Sequence, residues 1–248
     1  MMLILAIFVI ALVLTMVGLG GGLIYSPLLV ILGFAKTDAA SASLFLNLVA
    51  AASAAYAYSR KKMVAFSLAI PLIISSGLAA PMGAFLNTQV NAKPFMTIMA
   101  VVMALAGGRM LLAPPKHTDA AAAGTAKQMI GGLSIGLLIG LMGGFLGIGG
   151  GIFVVPLLIY GLKIPTKIAA ASSTFIVCFA SLTGFLGYAA MGSINWRFIL
   201  PAAVASFAGG QAGARIMSTR LKGKAIRVIF SLLLFVLSAK LLYQSLSV

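Results

Sequence analysis

Acidic side chains are almost missing from this chain: across 248 residues only Asp38 and Asp119 carry a carboxylate. Neither falls inside an apolar run. That excludes the buried carboxylate relay common in proton and sodium carriers, and it leaves no carboxylate pair for general acid–base work. Cys178, a single cysteine, rules out an intrachain disulfide and any cysteine-based metal site. The single histidine, His117, stands near Asp119 in a polar stretch with no second histidine or cysteine. No metal site, no cofactor and no enzymatic activity are therefore expected. Charge of either sign is scarce, at 8% of residues against about 25% in ordinary soluble chains.

Apolar residues fill the space, at 62% of the chain, and they gather into runs of membrane-spanning length. The opening run MMLILAIFVIALVLTMVG has neither a basic n-region nor a small-residue cleavage site, so it reads as a retained membrane segment. The net charge of +15 comes from 17 lysines and arginines scattered between apolar runs. With no basic face, that pattern points to positive-inside loops rather than to nucleic acid.

Glycine organises the rest. The stretch GLGGGLIYSPLL at 18–29 returns as GIGGGIFVVPLL at 147–158. Both copies keep a leading glycine (Gly18, Gly147), a triplet (Gly20, Gly21, Gly22; Gly149, Gly150, Gly151) and a proline five residues on (Pro27, Pro156). Glycine costs a helix interior roughly 1 kcal/mol against alanine, so each run predicts a break inside an apolar segment. Broken helices repeated in two halves are a pointer to a transporter's binding site.

The segments follow from the apolar runs. Segment 1 covers 2–33, broken at 18–22; segments 2, 3 and 4 cover 39–58, 64–87 and 94–112. A polar, alanine-rich stretch at 113–127 joins the halves. Segment 5 covers 128–161, broken at 147–151, and segments 6, 7 and 8 cover 167–190, 195–217 and 224–246. The duplication extends beyond the glycines: Ser43, Phe45, Tyr58, Pro71, Gly83 and Ala84 fall on Ser173, Phe175, Tyr188, Pro201, Gly213 and Ala214.

Charge orients the halves. If segments 1 and 5 each cross once, the basic residues divide almost evenly between the two sides. If each broken segment returns to its own side, one side collects Arg60, Lys61, Lys62, Arg109, Lys116, Lys127, Lys163, Lys167, Arg215, Arg220, Lys222, Lys224 and Arg227. The other keeps Lys36, Lys93, Arg197 and Lys240. Positive-inside topology demands such a bias. The expected fold is thus all-α and polytopic: two inverted structural repeats, each a Gly-broken helical hairpin plus three transmembrane helices. The repeats are residues 1–112 and 128–248, with a cytoplasmic linker at 113–127.

A half-helix that begins at Gly22 or Gly151 has unpaired N–H groups in its first turn. Two such ends aimed at one midplane region make a natural anion site. Gly132, Gly136, Gly140 and Gly144 form instead a small-residue packing stripe. Segments 2 and 6 add uncharged donors: Ser43 and Asn47 share a helix face, and Ser172, Ser173 and Thr174 stand in the second half. Interhelical or back-bonded hydrogen bonds are the alternative role for these side chains. Gln211 and Arg215 are weaker site candidates, since Arg215 lies about one turn from a basic loop and can snorkel. GLGGG is not the dinucleotide-binding G-x-G-x-x-G.

The paired G-x-G-G-G-x4-P-L-L stretches, the Ser-Leu-Phe and Ser-Thr-Phe runs at 43–45 and 173–175, and the Gly-Ser-Ile-Asn-Trp loop at 192–196 together resemble the TauE/SafE (TSUP) family of bacterial sulfite exporters. The resemblance covers essentially the whole chain. It implies movement of sulfur oxyanions or organosulfonates (sulfite, sulfoacetate and relatives) across the bacterial inner membrane, usually outward, with the glycine breaks and hydroxyl pairs facing substrate. A hydroxyl residue usually precedes the serine of the run; Ser172 supplies it in the second half, whereas Ala42 stands there in the first. The expected partners are a small anionic substrate and the lipid bilayer, and no nucleic acid; nothing in the pattern selects an oligomeric state. The rival reading is a membrane-embedded accessory or assembly protein without transport activity.

Overall fold

A computed structural model describes residues 2–34, 36–89, 92–112, 133–142, 151–189 and 196–247. Among them every regular element is helical: α1 (Met2–Met16), α2 (Gly22–Ile31), α3 (Lys36–Arg60), α4 (Phe66–Gln89), α5 (Ala92–Leu111), α6 (Leu133–Met142), α7 (Gly151–Pro156, continued by a π-helical turn over Leu157–Gly161), α8 (Thr166–Ala189), α9 (Trp196–Thr219) and α10 (Gly223–Ser247). Stretches 38–60, 66–83 and 166–187 are long and apolar enough to cross a membrane. Helices α5, α9 and α10 have 20, 24 and 25 residues. Leu78, Leu105 and Val204 are each at least 70% exposed, an apolar exterior suited to lipid rather than water. The chain is an all-α, multi-pass membrane protein.

Packing between helices rests on small residues, as expected where lipid is as apolar as the helices themselves. Helix α1 runs parallel to α9: Gly209 meets Phe8 and Ala11, and Gly213 meets Leu12 and Thr15. Helix α6 runs parallel to α4 in the same way, with Gly136 against Leu72 and Ser75 and Gly140 against Ser76 and Ala79. The two crossings correspond under the sequence repeat, but the glycine changes sides. Gly209 on α9 faces Ala11 in one, and Ala79 on α4 faces Gly140 in the other.

Helices that are counterparts under the repeat run antiparallel. Along α3 and α8, Leu44 packs on Gly184, Phe45 and Phe185 have ring centres 5.1 Å apart, and Asn47 bonds Ser181. Just beyond the end of α3, the Ala65 N–H donates to Ser172 near the start of α8. Along α5 and α10, Ser231 donates to the Gly107 carbonyl and Ser238 to the Ala100 carbonyl, both at 2.7 Å.

The first glycine break makes a hairpin. At the end of α1, the Thr15 carbonyl accepts from Tyr58 near the end of α3 at 2.9 Å. Gly22 then meets Asn47 in the middle of α3, and Leu29 packs against Ala39 and Ala42 at its start. The chain has turned back along α3, and the Tyr25 hydroxyl on α2 reaches the Ile7 carbonyl on α1 at 3.1 Å. Left-handed backbone makes the turn possible: φ is +88° at Gly18 and +73° at Gly20, a region closed to most residues with a side chain. At Gly18 a Cβ would also lie 2.6 Å from the Ala170 carbonyl oxygen. The main core joins Leu14, Val17 and Leu19 of this hairpin to Tyr58, Leu72, Ile152, Val155 and Ala170.

One end of the bundle is basic. The Lys61 ammonium donates to the Ser218 hydroxyl at 2.7 Å and Lys167 to the Ser218 carbonyl at 3.4 Å. These contacts bring the end of α3, the start of α8 and the end of α9 together, and with them Arg60, Lys62, Lys163, Arg220, Lys222 and Lys224. Lys36 and Asp38 lie at the opposite end, on the first turn of α3.

Candidate functional site

The glycine break of the first half is organised by one side chain. Asn47 on α3 is fully buried and aims its Oδ1 at the first turn of α2, where it accepts from the Gly21 and Gly22 amides, the latter at 2.9 Å. Its Nδ2 donates to the Ser181 hydroxyl on α8 at 2.7 Å. The amide hydrogens expected to be bare are therefore engaged by a carboxamide. Nothing larger than hydrogen fits at Gly20, whose Cβ would run into Asn47 Oδ1.

The predicted hydroxyls bind backbone, and two of them do so at the same break. Ser43 donates to the Gly22 carbonyl at 3.0 Å, and Ser173, from the other half, donates to the Gly18 carbonyl at 2.7 Å. Thr174 bonds back to the Ala170 carbonyl of its own helix at 2.9 Å. Ser172 accepts the Ala65 N–H at 2.9 Å. All four are at most 1% exposed. The turn carbonyls freed at the break thus find donors, as buried backbone must.

In the second half Gly151 opens α7 at the place corresponding to Gly22, and Val177 stands where Asn47 stands. A Cβ on Gly151 would lie 2.7 Å from Val177 Cγ2 and 3.3 Å from Leu19 Cα. The start of α7 therefore touches the first half's break at Leu19. Gly147, Gly149 and Gly150 lie outside the described residues, as do the linker at 113–127 and most of the loop at 192–196. Pro27 falls within α2, and Pro156 ends α7 where the π-helical turn begins. Proline lacks the N–H that would have continued the ordinary α-helical ladder.

Gln211 and Arg215 are not at this centre. They line a groove of about 460 Å³ on the outer side of α9, with Phe207, Ala208, Ala212 and Ile216. Arg215 is exposed there, and Gln211 Oε1 is buried without a partner.

Sequence reasoning missed three participants. Ser181 anchors Asn47. Tyr25, 1% exposed, bonds Ile7 and lies 3.1 Å from the Ser206 hydroxyl, which itself donates to the Leu46 carbonyl at 2.8 Å. Tyr25 lies inside the repeated motif, but its counterpart is Val154, so the repeat hid it. Ser181 and Ser206 carry no local signal.

Comparison with known proteins agrees with this architecture. The family model for the sulfite exporter TauE/SafE matches residues 3–241. A probable membrane transporter protein, YunE, of Bacillus subtilis is 27% identical over 93% of this chain and 92% of its own length. A probable membrane transporter protein of Xylella fastidiosa is 26% identical over 93% of this chain and 90% of its own. Another, YfcA of Escherichia coli, is 25% identical over 91% and 83%. No solved structure matches. A polytopic helical bundle with paired glycine breaks, matched almost end to end, belongs to the TauE/SafE sulfite exporter family of membrane transporters.

Proposed function

We infer that this transporter moves small sulfur-containing anions (sulfite, sulfoacetate or related organosulfonates) outward across the bacterial inner membrane, by alternating access between two inverted repeats. The observation that carries this reading is the convergence of two amide N–H groups on a single oxygen, Asn47 Oδ1, at the buried start of α2. An oxyanion oxygen has the same requirement as that carboxamide oxygen, and the positive end of a helix favours the charged guest further. Gly20, Gly21 and Gly22, with Gly149, Gly150 and Gly151 from the other half, supply backbone donors. Ser43, Asn47, Ser172, Ser173 and Thr174 supply side-chain groups that exchange backbone partners for substrate.

Three further observations support it. Counterpart helices run antiparallel, the relation that inverted repeats require, and inverted repeats give alternating access a rocking axis at the bilayer midplane. The basic end suits the cytoplasmic side and draws anions to that mouth. Among the described residues the sole carboxylate, Asp38, lies at a helix end, so nothing acidic repels an anion inside the bundle.

Counterflow of labelled sulfite and sulfoacetate in proteoliposomes tests the reading, with everted vesicles fixing direction. Saturable counterflow that a Gly21→Leu/Gly150→Leu variant loses is the expected result. No counterflow by folded protein would favour the accessory-protein reading.

A further inference from the structure

The basic end holds a second cluster that the central site does not use. Arg109 closes α5, and its guanidinium carbon lies 4.6 Å from the centre of the Tyr160 ring. Tyr160 belongs to the π-helical turn that continues α7, and its hydroxyl donates to the Arg109 carbonyl at 2.7 Å. Arg227, near the start of α10, reaches the Thr166 hydroxyl at 3.5 Å and lies within electrostatic range of the same phenol. Thr166 is the first residue of α8, and a Cβ on Gly223, the first residue of α10, would lie 3.4 Å from Thr166 Cβ. Two helix N-termini and two guanidinium groups are thus held together.

Such a gathering of positive charge calls for a counter-ion, and the described residues supply none nearby. Asp38 is the sole carboxylate among the described residues and sits at the other end of the bundle. Arg227 Nε is buried with no hydrogen-bond partner. An unfilled guanidinium donor in a buried place is costly, and the planar guanidinium fork matches the oxygens of a phosphate or sulfonate.

The geometry points to an oxyanion site formed by Arg109, Tyr160, Thr166 and Arg227, which takes a tetrahedral sulfate, sulfonate or phosphate group at the basic mouth. That group comes either from a free ion or from an anionic lipid headgroup, since the cluster lies where a bundle end meets the membrane surface. The site is separate from the glycine breaks and binds its guest whether or not the central site transports.

The test uses the full-length protein in nanodiscs. In phosphatidylcholine discs, inorganic sulfate and inorganic phosphate are titrated against the wild type, Arg109→Gln/Arg227→Gln and a charge-matched control, Arg220→Gln/Lys222→Gln. A second arm measures phosphatidylglycerol retained by each protein after delipidation, by native mass spectrometry. The cluster variant is expected to bind at least tenfold more weakly in one arm, with the control within twofold of wild type. An effect in the first arm identifies a free ion, and in the second a lipid headgroup. Equal behaviour of the two double variants in both arms overturns the site. If the cluster variant does not fold, Arg227→Lys replaces it: it keeps the charge but lacks Nε, and unchanged binding there is equally fatal. Loss of sulfite counterflow leaves these readouts untouched, so the two readings fail separately.

Discussion

Asn47 and Val177 occupy equivalent places in the two repeats, but only Asn47 caps a helix: its Oδ1 lies 2.9 Å from the Gly22 nitrogen, while Val177 offers Gly151 a methyl group. The duplicated scaffold has been made asymmetric at its centre by one carboxamide. In half one a polar side chain already holds the position that an anion's oxygen would take. Any guest at α2 must displace it or share its donors.

Replacing Asn47 with Ala strips the Gly21 and Gly22 amides and Ser181 of a partner. Leaving such groups unpaired costs about 1–3 kcal/mol, so a lower thermal midpoint in detergent is expected. Added sulfite should then raise that midpoint more in Asn47→Ala than in wild type, because the anion now fills a vacant acceptor position. Asn47→Asp should lose the sulfite response, since its carboxylate keeps the amides and repels the anion. A response equal in all three proteins would place the anion elsewhere.

The glycines divide into those that touch a neighbouring helix and those that do not. At Gly140 a Cβ would lie 2.7 Å from Ser76 Cα and 2.8 Å from Ala79 Cβ; at Gly209 it would lie 2.7 Å from Ala11 Cβ. Gly140→Ala and Gly209→Ala should each destabilise by about 1–3 kcal/mol as the helices are forced apart. Gly108 on α5 has nothing within 4 Å of the same position, so Gly108→Ala should be neutral, or stabilising by up to about 1 kcal/mol through helix propensity. Denaturation of the three variants side by side distinguishes interface glycines from incidental ones.

Much of this was legible from the residues alone. The glycine runs, their duplication and the bias of the basic residues together specify a broken hairpin in each half, and the chain does turn back at Gly18–Gly21. Ser43, Asn47, Ser173 and Thr174 were singled out, and the first three bond the backbone of the break. Their partners were not readable. A hydroxyl on an apolar helix looks the same whether it bonds its own carbonyl, as Thr174 does, or one 155 residues away, as Ser173 does. Only the packing of α3 against α8 decides, and that depends on small-residue faces with no strong periodicity. The engagement of the α2 amides by Asn47 was hidden for the same reason.

Topology is open to direct chemical test. With Cys178 replaced by Ser, single cysteines at Lys62, after α3, and at Lys222, after α9, should both react with an impermeant thiol reagent only in everted vesicles. Cysteines at Lys36 and Lys240 should react only in right-side-out vesicles. Labelling of the positions at 62 and 222 from opposite faces would rule out inverted repeats with a common basic side.

Ser43 and Ser173 hold the carbonyls at the two ends of the first break, Gly22 and Gly18, while Thr174 holds only its own helix. Loss of either serine hydroxyl leaves a buried turn carbonyl short of a donor, at about 1 kcal/mol each, and loosens the left-handed turn that aims α2. Thr174→Val removes a back-bond whose carbonyl remains in the α8 ladder, at nearly constant shape. Ser43→Ala and Ser173→Ala should therefore lower both the thermal midpoint and the rate of counterflow. If Thr174 acts only through its own helix, Thr174→Val will leave both near wild type; if its hydroxyl turns to substrate during the cycle, counterflow will fall while the midpoint holds. Measuring midpoint and flux on all three variants separates hydroxyls that build the break from hydroxyls that serve the anion. A flux loss without a midpoint change at Ser173 would move that residue from the first group to the second.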